Sequence, residues 1–371
     1  MIRAYPLARR ARATVDMLVL SDTDVRRCLS MKDIIDVNHK ALRSIRDVGG
    51  EAIVPRRIGL PYHRSATTVC ASEDSAEDWT LFKPAYCPAS NNSSDDDEEV
   101  MGMKLVSIRD NNPNLGLPTV TATTALTNAE TGEVEAVVAS TYLTAARTAA
   151  GSALATNLIL EGRSQEGRAG LTLVVFGAGL QGELHIRAIC HVASVIKLVL
   201  VNRSMERANK LRDKFLQEGL FSDIRTVELS DEDGVRYAVQ GAHVIVTATN
   251  TSTPLFAGCW VSPGCHVCCV GSYTSKTREI DDDLVKRSRV IVDTHEAINV
   301  GDLSWLKNQD QKYFLLGNLL AGDNLTSEAL DGTIDCTLYK SVGTAIQDVF
   351  SAALAVKAAR EKGIGINVDM S

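Results

Sequence analysis

No apolar run in these 371 residues approaches the roughly 20 that a bilayer span requires, and the opening residues lack the apolar core of a secretory signal. A membrane-embedded or exported protein is therefore not expected. A basic excess is missing too: 39 Lys and Arg stand against 46 Asp and Glu, for a net charge of −7. The charges scatter along most of the chain without a basic face that could follow a phosphate backbone, so nucleic acid is not expected as a partner. The nine cysteines are odd in number and form no paired framework, which fits reduced thiols in a cytoplasmic setting better than a disulfide scaffold. No acid precedes Asp16, whereas Arg3, Arg9, Arg10 and Arg12 do. A mitochondrial presequence shares that composition, but a frayed basic tail is the simpler reading. No internal repeat is visible.

What is present is enough apolar chain, 45% of residues, for two cores rather than one. A short strand at Met17–Leu20 precedes cap candidates Ser21 and Asp22, and then helical spacing through Val25, Cys28, Ile34, Val37 and Leu42, stopped by Gly49 and Gly50. Residues 53 to 145 read as short strands and turns: Ile53 and Val54, Thr80–Phe82, Gly102–Ile108, Thr119–Leu126 and Glu133–Val138. This predicts a mostly antiparallel sheet. Within it, Asn91–Glu99 ends in five consecutive acids, which repel one another and stay hydrated as a surface loop.

Beyond Thr144 the pattern changes. An Ala-rich helix to Leu160 is followed by strands at Leu171–Phe176, Val195–Val201, Ile224–Leu229 and His243–Thr247, with helices between them. Such alternation predicts a parallel sheet with crossover helices on both faces. A last apolar-faced helix, Ser341–Ala359, is expected to pack back on the first unit and make it discontinuous. The expected division is 1–145, then 146–324, then 325–371 returning to the first unit.

The most informative stretch is Gly177-Ala178-Gly179-Leu180-Gln181-Gly182, a G-x-G-x-x-G placed directly after an apolar strand and before a helix. The first glycine permits the tight turn, the second lets backbone approach a diphosphate, and the third lets helix and strand pack closely. Dinucleotide binding on a doubly wound α/β sheet of Rossmann type is the expectation. The second strand of such a unit ends in an acid when the ribose 2′-hydroxyl of NAD is to be held. Here it ends Asn202-Arg203-Ser204, with Arg207 one helical turn on, a set suited to a 2′-phosphate, so NADPH is the expected cofactor. Thr247-Ala248-Thr249 and Val270-Gly271-Ser272 close two further strands where a doubly wound sheet places its ligand. Cys265, Cys268 and Cys269 lie on an apolar strand without a second ligand pair, so packing explains them and no metal is expected.

Taken together, Lys104-Leu105-Val106-Ser107, Thr131-Gly132-Glu133, the segment Leu143-Thr144-Ala145-Ala146-Arg147-Thr148-Ala149-Ala150, the glycine turn, Asn202-Arg203 and Lys340-Ser341-Val342-Gly343 resemble the ornithine cyclodeaminase and mu-crystallin family. The match runs in order from about Val54 to the last helix. The resemblance implies a homodimer, an α+β substrate and dimerisation domain built from both chain ends, and an active site in the cleft beside the Rossmann domain. It implies that Arg57 after Pro55 binds a substrate carboxylate, that Lys104 is the active-site lysine, and that Arg147 stands beside substrate and cofactor phosphates. Thr119, Val342 and Gly343 are implied at the cofactor. Members that cyclise ornithine carry an aspartate where this chain has Tyr273, which points away from cyclodeamination and towards the ketimine reductases of the mu-crystallin side.

The expected activity is NADPH-dependent reduction of a small, commonly cyclic, imine or imino acid. Arg57 and Lys104 anchor a carboxylate, with the proton coming from Lys104 or from a water held by Tyr273. The alternatives are a cyclodeaminase or amino acid dehydrogenase, and a non-enzymatic protein binding NADPH and a small ligand.

Overall fold

The computed structural model describes residues 16–62, 78–89, 99–162, 170–274, 276–304, 312–322 and 335–370. The basic opening stretch and all of the acidic run but Glu99 lie outside the described residues.

One sheet is formed by β1 (Asp16–Leu20), β2 (Ile58–Tyr62), β3 (Asp78–Cys87), β4 (Val100–Ile108), β5 (Val120–Thr127), β6 (Val134–Ala139) and a strand far along the chain, β15 (Ile366–Asp369). Their order is β15-β1-β6-β5-β4-β3-β2, antiparallel except where β1 meets β6. Pro61 removes a backbone donor and sits on the edge strand β2, where that donor is not needed by a neighbour. The helices against this sheet are α1 (Asp22–Cys28) and a helix late in the sequence, α9 (Ala345–Lys362), on which α2 (Met31–Arg43) packs in turn.

The second sheet is wholly parallel. It contains β7 (Leu171–Phe176), β8 (Val195–Asn202), β9 (Ile224–Glu228), β10 (Val244–Thr247), β11 (His266–Cys269), β12 (Ser288–Val292), β13 (Tyr313–Leu315) and β14 (Cys336–Lys340) in the order β13-β12-β14-β11-β10-β7-β8-β9. Val244–Thr247 and His266–Cys269 are buried along their whole length, as strands covered on both faces must be. The intervening helices are α4 (Leu180–Val192), α5 (Met205–Gln217), α6 (Glu232–Gln240), α7 (Asp282–Arg287) and α8 (Leu316–Leu320). The chain runs outward from β7 to β8 and β9, then returns to the other side of β7 at β10. That reversal opens a crevice at the carboxyl ends of β7 and β10, where open α/β sheets take their ligands.

Between the sheets runs α3 (Thr141–Glu161), against α2 and β5 on one side and α4, β11 and β14 on the other. Ala145, Ala146, Ala149, Ala150 and Ala153 are buried along it, and their small side chains allow that close approach.

The α/β fold class expected from sequence is the one observed, with local differences. The helix expected from Val25 to Leu42 is two helices. Ser30 caps the second by accepting from Asp33 N while the Asp33 carboxylate takes the Ser30 N–H, so the chain restarts there. The late helix begins at Ala345, because Ser341 Oγ and the N–H groups of Val342 and Gly343 all donate to Asp293 Oδ2 at 2.8, 2.9 and 2.6 Å. Finally, Cys336–Lys340 falls in the stretch assigned by sequence to the first unit, yet it pairs between β11 and β12, so the crossing back follows Lys340.

Candidate active site

A cleft of about 1250 Å³ opens between the two sheets, more than the ~300–1,000 Å³ usual for a small ligand and room for a dinucleotide beside a small substrate. Its walls include residues from β3, β4, α3, the ends of β7, β8 and β10, and the segment before α9.

One end is the glycine turn. Gly177 has φ +109°, and a Cβ there would lie 2.5 Å from Ala248 O; a Cβ on Gly182 would lie 2.0 Å from Gly177 O. Only glycine lets β7, β10 and α4 converge this closely. A Cβ on Gly179 would meet nothing within 4 Å, so the turn faces open space. Gly179 is the N-cap of α4 and supplies no side-chain cap, which leaves the leading N–H groups of a 13-residue helix for an anion. Gln181 Oε1 is buried without a hydrogen-bond partner. This cradle fits a dinucleotide diphosphate.

At the end of β8, Asn202 braces the turn: its Oδ1 accepts from Ala178 N at 3.2 Å and its Nδ2 donates to Ser204 O at 2.8 Å. Arg203 and Arg207 are exposed on the same rim, with Ser204 capping α5, and Glu206 also lines the cleft there.

The other end is a floor of cations. Asp348, in the first turn of α9, has Lys104 Nζ and Arg147 Nε both at 2.8 Å from Oδ1 and Lys83 Nζ at 3.1 Å from Oδ2. The four side chains are between 1% and 6% exposed. Burial alone would raise the Asp348 carboxyl, but the charges of Arg147, Lys104 and Lys83 hold it well below its ordinary value. Burial, with repulsion from Arg147 and Arg57, pushes Lys83 down to about 8, and burial, with repulsion from Arg147 and Lys83, pushes Lys104 well below the usual lysine range. One guanidinium nitrogen of Arg147, Nη1, is buried without a hydrogen-bond partner, and a Cβ on Gly343 would lie 2.3 Å from it. Arg57 stands at the mouth of this floor, its Nε donating to Glu296 Oε2 at 2.9 Å. Tyr273 lines the cleft as well, its phenol raised by burial and by Asp110.

The cleft therefore brings together Arg57, Lys104, Arg147, Tyr273, Thr119, Gly177, Ala178, Gly179, Leu180, Gln181, Asn202, Arg203, Ser204, Arg207, Ala248, Thr249, Val270, Gly271, Val342 and Gly343. Two residues expected at the cofactor do not line it. Thr247 Oγ1 donates to Glu279 Oε2 at 2.8 Å, and Ser272 Oγ accepts from Lys340 Nζ at 2.7 Å while bonding Asp302. Both hydroxyls serve a buried network behind the wall. In it Glu279 also accepts from Thr249 N, Thr249 Oγ1 and Gly271 N, tying the ends of β10 and β11 together.

The ornithine cyclodeaminase/mu-crystallin family model matches residues 88–363. The chain belongs to the ornithine cyclodeaminase/mu-crystallin family. An uncharacterized cyclodeaminase of Dictyostelium discoideum is 32% identical, over 96% of this chain and 100% of that protein. Mouse ketimine reductase mu-crystallin is 30% identical over 73% of this chain and 77% of its own length. Among solved structures, the Δ1-pyrroline-2-carboxylate reductase of Thermococcus litoralis in complex with NADH and L-proline superposes with a TM-score of 0.80 at 27% identity, covering 95% of this chain and 100% of that one.

Lys83 and Asp348 escaped the sequence reading although both sit in the floor that this family member builds. Lys83 lies next to Pro84 in a strand recognised only at Thr80–Phe82, and Asp348 interrupts the apolar face of the last helix. The signal was available in the second case, because a charged residue on a buried helical face requires a partner.

Proposed function

We propose that this family member is an NADPH-dependent reductase of small cyclic imino acids, acting on the carbon–nitrogen double bond. The observation that carries the reading is a single cleft with an uncapped helix N-terminus over a glycine turn at one end and a buried floor of cations at the other. The names of the mouse and Thermococcus relatives support the same class of reaction.

Bound in the cleft, the reduced nicotinamide supplies the hydride. The remaining work belongs to side chains of this chain. The N–H groups leading α4 hold the diphosphate, and Arg203 and Arg207 meet a ribose phosphate. Arg57 and Lys104 grip the substrate carboxylate, with Arg147 beside them, and Thr119, Ala248, Thr249, Val270, Gly271, Val342 and Gly343 shape the walls. Lys104 is the better proton donor to the developing amine, since its lowered pKa makes it a stronger acid while burial makes the Tyr273 phenol a weaker one. Imine, reduced coenzyme and one proton give amine and oxidised coenzyme. Among the described residues lining the cleft, Glu206 is the one acid, and it belongs to the ribose end, so no carboxylate stands at the cationic end to take protons from an amine.

The direct test follows NADPH oxidation against five- and six-membered cyclic imines with and without a carboxylate. Turnover is expected for the carboxylates; equal turnover of the carboxylate-free rings removes Arg57 from its role, and tight NADPH binding with no turnover of any ring makes the protein a binder. Glu206 on the rim and the NADH of the Thermococcus complex favour NADH as a second reading. Arg203→Ala separates the two coenzymes: losing charge-assisted bonds should weaken NADPH by roughly 10–100-fold and leave NADH unchanged in a fluorescence titration.

We further propose a homodimer through the outer face of the first sheet. Register aligns Ile58, Phe82 and Leu105 across β2, β3 and β4, and Ile58, Leu60, Met103 and Leu105 are exposed there. Exposed apolar residues in a row are the signature of a contact surface. Leu105→Glu is expected to turn a dimer into a monomer in light scattering, with Lys104 beside it still facing inward. The division into a first unit of 1–145 plus the late helix, and a Rossmann unit from 146, is read from the same two sheets, with β14 kept in the Rossmann unit.

A further inference from the structure

Lys83 and Lys104 are partners in the register of β3 and β4, directly opposite one another, so their Cβ atoms stand roughly 4.5–5.5 Å apart on the inward face. Like charges at such a pair are unfavourable even at a surface, and here both side chains are 5% or less exposed. Both reach for the single carboxylate of Asp348, which Arg147 already engages. With both lysines protonated, three cations share one anion in a nearly dry place.

The charged groups around the pair come from every element packed against it: Asp348 from α9, Arg147 from α3, and Arg57 from the segment before β2. Glu296 holds Arg57, and the buried Asp293 faces Arg147 and Arg57. Arg57 and Glu296 cancel at the mouth. At the floor, Arg147 lies between the carboxylates of Asp348 and Asp293, so the two lysines, if both protonated, leave one positive charge in excess among the described residues.

We infer that Lys83 and Lys104 act as one protonic unit on Asp348, sharing a single proton between them in the free site and taking up a second from solvent when a substrate carboxylate enters. This rests on the imino acid reading of the cleft. Lys83 is then a positioning residue. Its charge keeps Lys104 neutral until the substrate arrives, and the arriving carboxylate loads Lys104 with the proton that the developing amine receives. The proton taken up on binding is the one consumed in the reaction. Burial, Arg147 and Arg57 push Lys83 down to about 8, and burial, Arg147 and Lys83 push Lys104 well below the usual lysine range, so each opposes a second proton in the pair. Lys83 Nζ also donates to Gly343 O at 3.3 Å, which fixes it while Lys104 titrates.

The test is calorimetric and needs no turnover. The full chain, saturated with NADP+, is titrated at neutral pH with pyrrole-2-carboxylate, a planar ring carboxylate without a reducible C=N bond, in phosphate and in Tris. The dependence of heat on buffer ionisation counts protons. Wild type should take up about one proton per carboxylate bound. In Lys83→Met the neighbouring charge is gone, Lys104 is protonated beforehand, and uptake should fall close to zero. Lys83→Arg keeps the charge and should restore it, which a merely structural role for Lys83 does not predict. Should the methionine variant fail to fold, Lys83→Gln replaces it, being uncharged but able to bond Gly343 O. Binding without uptake in wild type, or uptake unchanged in the uncharged variant, overturns the inference and leaves the reductase reading intact. Absence of binding overturns both.

Discussion

Asp348→Asn is expected to lower the unfolding free energy by about 3–5 kcal/mol, read as a fall in the urea midpoint, because it leaves Lys83, Lys104 and Arg147 buried without their common anion. The deficit has a pH signature. In the fold the Asp348 carboxyl lies below its unfolded value of 3.8, so its contribution is complete above that value and is lost only as pH falls through the folded one. Lys83 works in the opposite sense. Its folded value of about 8 lies below the unfolded 10.5, so between these two the unfolded chain binds more protons and stability rises with pH. Below about 8 the cost of the buried ammonium is present in full. Without Asp348 the lysines shed protons at lower pH, and the gap between variant and wild type should narrow as the solution becomes alkaline. A midpoint that does not move would mean that the cluster contributes nothing to holding the fold.

Lys104→Met should reduce kcat/KM for a carboxylate-bearing cyclic imine by roughly 10²–10⁴-fold, the usual worth of a positioned proton donor, with NADPH affinity unchanged. The contrast is what matters. Lys104 belongs to the floor, and the glycine turn with Arg203 and Arg207 belongs to the opposite end of the cleft, so a lesion at one end should spare binding at the other. Turnover that survives in Lys104→Met transfers the proton to Tyr273 and its water. A simultaneous loss of coenzyme binding would indicate a collapsed cleft and remove the evidence for any single role.

Much of the parallel sheet was legible because its strands declare themselves. Leu171–Phe176 is bounded as read, and the glycines that follow have no other use than the turn they make. The short strands were not legible. Tyr313–Leu315 has three residues and Ser288–Val292 five, and neither carries enough periodicity to separate it from a loop. Ile53 and Val54, read as a strand, contribute only an isolated bridge from Ile53 to Tyr86. The break at Ser30 was visible in principle, since Ser30 and Asp33 repeat the spacing of Ser21 and Asp24, but unbroken apolar spacing masked it. At the site, residues that act through backbone or motif were found, whereas those that act through distant partners were not. Lys83 and Asp348 are 265 positions apart, and only the packing of α9 on β3 and β4 brings their charges into one account. The same blindness placed Thr247 and Ser272 at the cofactor, because nothing near them in sequence announces Glu279 or Asp302 as their hydrogen-bond partners.

The anion beneath the cleft leaves the ribosome late. Asp348 follows Lys104 by 244 residues and Arg147 by 201, with the whole parallel sheet translated in between. During synthesis β1 to β6 can pair early, but the two lysines have no reason to leave water until α9 docks. Completion of the cationic floor is thereby tied to completion of the parallel sheet, and a chain interrupted between them holds its lysines in solvent.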